Sequence, residues 1–506
     1  MGDADARCTA PMAAASRPPQ SRWGGWEVGT TSLLAVLVGL SLALSGVLWL
    51  STPPLPAPVL ASGAAAYLIG DTVGRSSLAT LLDPARIVML YPGGSGEALG
   101  DPAANPLFGV LWSASVRLLA GIDAARLAAA QPVGLQEVAA RVAAAGSGAA
   151  TAALEIDLGP TLTLAQWMEW FDPRMVWRGA QGPPLSRIYV ITFRRETEVV
   201  LVSGYTALRV MLPAAAGRSL STLLSAQMGQ PQPSGYSVRP LARTPGATFG
   251  VEPGIEVPQQ PDWAAVRLGE EQIDSSRLAA AIFPDPLAVH VFREPGGSVQ
   301  FTDPQHWVLS VDPSFGTAQL QAVGAGTPGN LDWLQGLRYA VQYIGRAGGW
   351  PLSGWLSSAV PSYAGGTCTL GACTPTGYRY NFATRYEGLP VMGGVPALSV
   401  SVEGAGAGVT DYARAVAVPG AVAGGPSSAW IPAATALAAL EADPPPSLYS
   451  PSMVVTGVSP AWVPLPLAGL LEPAWAFSFT PLDGGEARLV LVDALHGEVL
   501  DVLSNS

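Results

Sequence analysis

Residues 187–211 read RIYVITFRRETEVVLVSGYTALRVM. Three runs rich in β-branched and aromatic residues, 187–193, 198–203 and 206–211, are separated by connections of four and two residues. Side chains of this kind fit a pleated sheet, and connections so short can join only antiparallel neighbours, so the spacing predicts a meander of strands. Towards the N-terminus the pattern changes to mixed helix and strand. A strand is expected at 86–90, a helix at 107–120, Ala-rich helices over 123–145, a strand at 153–158 and a helix near 162–171. In that last helix Trp167, Trp170 and Phe171 (QWMEWF) have the spacing of one apolar face, which reads as core rather than as a sugar platform. The fold class expected is α+β, with antiparallel sheets packed against helices.

On the other side of the meander, 229–262 (GQPQPSGYSVRPLARTPGATFGVEPGIEVPQQPD) is rich in Pro and Gly and reads as a domain boundary. Beyond it a helix is expected at 274–281, strands at 288–292, 298–301 and 307–311, a helix at 331–344, and strands at 378–385, 389–392 and 397–402. The last segment predicts a helix at 432–441 and strands at 474–480, 487–493 and 498–502, with His496-Gly497 as the tight turn before the final strand. Three domains follow from these breaks: an N-terminal α/β domain at 66–228, a middle α+β domain at 229–428 and a C-terminal domain at 429–506.

Ahead of all this, no charged residue occurs from Val28 to Gly70. About 22 residues from Gly29 to Leu50 are almost wholly apolar, enough for a hydrocarbon core of roughly 30 Å. Trp23 and Trp26 stand at one end and Trp49 at the other, as aromatic belts do. Arg17 and Arg22 lie on the N-terminal side, so the positive-inside rule predicts a cytoplasmic tail at 1–28, a transmembrane helix at 29–50, a Pro-rich stalk at 51–65 and an extracytoplasmic remainder. Small-residue patterns at 59–61 and 64–66 would suit a signal peptidase, but the apolar run exceeds the length usual for a cleaved leader. Ala35, Gly39 and Ala43 recur every fourth residue on one face of this helix. Such a face lets another membrane helix approach closely, and it is the candidate contact with a partner.

Composition narrows the chemistry. With 49% apolar and 12% charged residues, the chain is no disordered polyelectrolyte. All 26 basic residues are arginine, which removes mechanisms needing a lysine amine. The formal charge is −11. Arg7, Arg17 and Arg22 balance Asp3, Asp5 and Glu27 in the first 30 residues, so the excess lies in the outer part. An acidic surface repels nucleic acids, and no nucleic-acid partner is expected. Cys368 and Cys373 enclose four residues in a compartment that permits disulfides, and their pairing is expected, worth roughly 2 kcal/mol as a local staple. The histidines His290, His306 and His496 show no metal spacing, and neither metal nor cofactor is expected. Tyr91 to Glu97 (YPGGSGE) lacks the last glycine of a nucleophile elbow. Asp285 and Asp303 precede prolines in turn-like settings and read as backbone-capping groups rather than an acid–base pair. No catalytic constellation is expected.

Two stretches carry a family resemblance. Residues 280–286 (AAIFPDP), followed by 296–303 (GGSVQFTD), are similar to the F-x-D-P stretch and G-S-x-x-Y-T-D-G hairpin of the YycH family, with Phe301 in place of the Tyr and Pro304 in place of the last Gly. Residues 471–475 (LEPAW) and 492–499 (VDALHGEV) resemble the end of YycH and YycI proteins and of PepSY-type domains. The length, the N-terminal span and a domain ahead of the shared part resemble YycH more than the shorter YycI. The resemblance implies a bitopic regulator of the WalK (YycG) sensor histidine kinase, which controls cell-wall metabolism, with a YycI-like protein as a second partner and no active site. The competing expectation is an extracytoplasmic PepSY-type inhibitor or binding module acting on a wall hydrolase or protease.

Overall fold

The computed structural model describes residues 81–504 with interruptions, the longest at 174–183, 228–235, 242–248 and 364–373. All of these residues belong to the unit Ser62–Ser506. The segment 29–50 with Ala35, Gly39 and Ala43, and both Cys368 and Cys373, lie outside the described residues. Among the described residues no helix is long and apolar enough to cross a membrane.

The meander at 185–213 supplies three adjacent strands, one short of the edge, in a nine-stranded antiparallel sheet. Its centre runs Arg86–Leu90, Ala152–Asp157, Leu185–Thr192, Glu196–Ser203 and Thr206–Pro213. Both faces are covered. Ile87, Leu154, Ile188 and Leu201 meet the helices Pro106–Leu119, Leu164–Phe171 and Ala214–Gln227, while Val88, Ala153, Tyr189 and Val200 meet Leu135–Gly146. Burial on two faces explains why these strands read as near-continuous apolar runs rather than alternating ones. Trp167 is fully buried, edge-on to Trp112 and stacked on Phe171.

The rest of the chain repeats one plan three times: a helix, then four strands joined as a meander. The first copy is Ser275–Ile282 with His290–Arg293, Val299–Thr302, Trp307–Asp312 and Thr317–Ala322. The second is Trp333–Arg346 with Trp355–Ser362, Gly377–Ala383, Leu398–Glu403 and Gly408–Ala415. Their fourth strands pair antiparallel, Thr317 with Ala415 through Gln321 with Asp411, and fuse the two meanders into one eight-stranded sheet. The third is Ala433–Ala442 with Met453–Leu465, Leu470–Pro481, Arg488–Asp493 and Val499–Ser504.

Helix starts follow side-chain caps, as Asp274 and Asp332 accept from the first-turn N–H groups. Helix Trp333–Arg346 buries Trp333, Leu337, Ala340 and Ile344, one face at helical spacing, against the second meander.

The Pro- and Gly-rich stretch 229–262 is structured in part. Tyr236–Pro240 and Glu256–Pro258 extend the edge of the first sheet, and Gly250–Val251 lies parallel to Val454–Val455 of the last. Glu256–Pro258 is the edge strand, and Pro240 lies past the residues of its strand that pair with 96–98, so each proline has one side of its backbone with no ladder to join.

Strand Met453–Leu465 (MVVTGVSPAWVPL) was not expected from the sequence. Its prolines fit because Pro473, opposite Trp462, directs its carbonyl to Ala494 N–H instead, so Pro460, Trp462 and Pro464 occupy positions not bonded to that neighbour. Thr317–Ala322, Trp355–Ser362, Gly408–Ala415 and helix Ala214–Gln227 were likewise not expected.

Candidate functional site

A cleft of about 470 Å³ opens where the three sheets converge. Its floor is a row across the last sheet, Gly457, Ser478, Leu489 and Leu503, which are cross-strand neighbours. One wall comes from the first sheet at 157–161 and 184–187, another from Trp355, Ser357 and Ser358 with Asn381, and a rim from 391–393 and 395–397. Close approach is built in: a Cβ on Gly159 would stand 2.7 Å from the Trp355 ring. Thr161 N–H donates to the Ser357 carbonyl, and Arg385 lies over the Trp355 ring while donating to the carbonyls of Asp83 and Pro84.

Behind the first wall sits a buried ionic cluster. Register places Arg86 opposite Asp157 and Asp157 opposite Arg187, with Glu155 and Tyr189 one pair further along the same face. Arg86 Nε donates to Asp157 Oδ2 at 2.9 Å, and its Nη2 is 3.5 Å from Glu155 Oε1. Arg187 Nη1 donates to the Tyr189 hydroxyl at 2.8 Å and lies 3.6 Å from Glu252 Oε1, while its Nη2 donates to the Thr456 carbonyl. Arg187 is 2% exposed, Glu155 0% and Glu252 4%.

Burial raises the Glu155 carboxyl above the usual range, against the pull of Arg187 and Arg86. It raises Glu252 to about 6, again opposed by Arg187. Burial works to lower the Arg187 guanidinium, but Tyr189, Glu252 and Glu155 outweigh it and hold Arg187 well above its usual value. Three carboxylates face two guanidinium groups here, and one oxygen on each of Glu155 and Glu252 has no hydrogen-bond partner. Through Arg187 the cluster ties the first sheet to Thr456 of the last.

The other candidates from the sequence fall elsewhere. Asp285 Oδ1 accepts Leu287 N–H at 3.1 Å and Asp303 Oδ1 accepts Trp307 N–H at 2.8 Å, both backbone-capping roles. His496 Nδ1 meets Asp493 Oδ2 at 2.6 Å on the surface, which with the neighbouring Coulomb attraction raises the imidazole pKa. Among the described residues no group of His, Cys, Asp and Glu is placed to hold a metal. Arg187, Glu155 and Glu252 were not singled out from the sequence. Charges inside otherwise apolar strands (ALEID, SRIYV) are the signal that points to the first two.

The motif stretches have clear structural roles. Residues 290–293 and 299–302 form a hairpin with Gly297 at φ +92°. In DALHGEV, Asp493 Oδ1 accepts Leu495 N–H, Gly497 takes φ +82°, and Ala494 accepts from Ile431 N–H, which seats the turn on the last helix.

The fold thus defines a class, an α+β protein of repeated helix–meander units following a large two-face-buried sheet. No family model and no curated protein matches the sequence. Among solved structures the chain is similar to YycH from Bacillus subtilis, with a TM-score of 0.49 and 14% identity over 82% of this chain and 98% of that one. It is also similar to the YpeB C-terminal domain of Bacillus megaterium, with a TM-score of 0.26 and 12% identity over 43% and 88%. Both are likenesses of fold.

Proposed function

We propose that this chain is a membrane-anchored, non-catalytic regulator whose extracytoplasmic body modulates a WalK-like sensor histidine kinase. The observation that carries the reading is the sequence plan: an apolar, Trp-flanked 29–50 segment, followed by a large acidic body that bears YycH-type motifs at its hairpin and final turn. The burial of the central charges supports it, since those groups are committed to holding sheets together. Regulation of this type requires only that the body and the membrane helix contact two kinase states unequally. The small-residue face Ala35, Gly39 and Ala43 supplies the proposed membrane contact, and a YycI-like protein is the second proposed partner.

The test is kinase autophosphorylation in vesicles containing the native organism's WalK-like kinase, with and without this protein. A change in rate that depends on the protein supports the reading. An unchanged rate at saturating protein, with both proteins correctly inserted, contradicts it.

A further inference from the structure

We propose that the three-sheet cleft binds a neutral mono- or disaccharide, held by side-chain hydroxyls and the Asp157 carboxylate beside an apolar stretch of floor. Three of the lining hydroxyls are already spent. Ser186 donates to the Val202 carbonyl, Ser357 to that of Asn381 and Thr456 to that of Ser478. Four others, on Thr161, Ser358, Ser459 and Ser478, have no hydrogen-bond acceptor among the described residues, and all four residues are half-buried. Ser358 Oγ accepts from Asn381 Nδ2 at 2.9 Å, which leaves its own proton to give.

Register brings these groups together. Thr161 bridges to Ser358 where the first wall meets the second. On the floor Ser478 lies opposite Gly457, and Ser459 follows two residues on along the same strand, so both hydroxyls stand on the face that the cleft exposes. A Cβ on Gly457 would stand 3.4 Å from Ser478 Oγ, so the missing side chain keeps the floor open beside that hydroxyl. Along the same row Leu489 and Leu503 continue the floor as an apolar surface.

The charges say what the occupant is not. Arg187 is the one cation among the described lining residues, and it is spent on Thr456, Tyr189 and Glu252. The Asp157 side chain is 22% exposed, and its Oδ2 takes Arg86 Nε while its Oδ1 stays free to accept. An anion would meet a carboxylate and no available cation, and a cation would compete with Arg86 for its partner. Groups that both donate and accept fit a lining of hydroxyls, one carboxylate oxygen and the Asn381 amide, and a carbohydrate hydroxyl is such a group. A sugar ring also presents a C–H face, which Leu489 and Leu503 match. A volume of about 470 Å³ admits one or two rings.

The experiment is saturation-transfer NMR on the full chain, in a detergent without sugar headgroups. The probes are glucose, N-acetylglucosamine, maltose, cellobiose and diacetylchitobiose at millimolar concentration, followed by titration of each that responds. Saturable binding of at least one is expected. Thr161→Ala and Ser459→Ala each remove one half-buried hydroxyl that bonds nothing in the protein, so the fold tolerates them, and each should weaken that binding about three- to tenfold. No saturation transfer to any of these sugars, or binding that keeps its full strength in both variants, would overturn the proposal.

Discussion

Arg187, on the first sheet, donates to the backbone carbonyl of Thr456 on the last, 269 residues away in the chain. The same guanidinium stands 3.6 Å from Glu252, in the segment that follows the docked Gly250–Val251 strand. One buried side chain thus joins two sheets, and its removal takes from Glu252 the cation beside it and leaves Glu155 with Arg86 alone. Arg187→Ala is expected to cost about 3–5 kcal/mol, read as a lowered urea midpoint, because a buried charge left unpaired keeps its whole desolvation penalty. Adding Glu252→Gln should recover part of that loss, a coupling that a double-mutant cycle measures.

The pH dependence of this cluster has a definite sign. Glu252 is raised from 4.5 to about 6 by burial, with Arg187 opposing. A carboxyl raised in the folded state contributes stability that is fully present below the unfolded value and is lost as pH rises through the folded one. Between pH 4.5 and 6, Glu252→Gln should therefore gain on the unaltered protein by on the order of 2 kcal/mol. Urea unfolding of both proteins across that window gives the difference. A gap that stays constant with pH would contradict the assignment.

A second buried pair clamps the fused middle sheet. Arg414 Nε and Nη2 meet the two oxygens of Glu271 at 2.7 Å each, and Nη1 donates to the Gly349 carbonyl. Arg414 is 1% exposed. Glu271→Ala should cost about 3–5 kcal/mol, with Glu271→Gln milder because it keeps one acceptor. Thermal denaturation of the two variants checks the order.

At the last turn, Gly497 combines φ +82° with a Cβ position 3.2 Å from Ile431 Cδ1. Gly497→Val meets both obstacles and should cost more than about 1–2 kcal/mol. Gly204, also at positive φ but with nothing near its Cβ position, carries only the backbone part of that cost, so Gly204→Ala should be the milder change.

Legibility in the sequence followed the strength of local signals. The strands at 86–90, 185–192 and 196–203 were readable because burial on both faces demands unbroken apolar runs. Strand Met453–Leu465 was not, since Gly457, Pro460 and Pro464 imitate a loop, and only the pairing partner shows that the prolines face away from the ladder. Helix Ala214–Gln227 was hidden by Gly217 and its serines. It forms because Leu220 and Leu224 find the first sheet, and a Cβ on Gly217 would collide with Thr197. The cleft was beyond local reading altogether. Its walls come from residues some 300 apart, and Glu252 sits in a stretch whose Pro and Gly content reads as a connection.

The central claim, a regulator that recognises its kinase partly within the membrane, is tested most directly by co-purification. The full chain and a version with 31–50 scrambled at equal hydrophobicity are each recovered from native membranes in mild detergent. The account predicts that one wall-stress sensor kinase accompanies the native chain and is lost with the scrambled segment, and that Gly39→Leu with Ala43→Leu weakens the recovery. Recovery of a secreted hydrolase or protease instead, indifferent to the scrambling, would contradict it and make the body an inhibitor held on a tether.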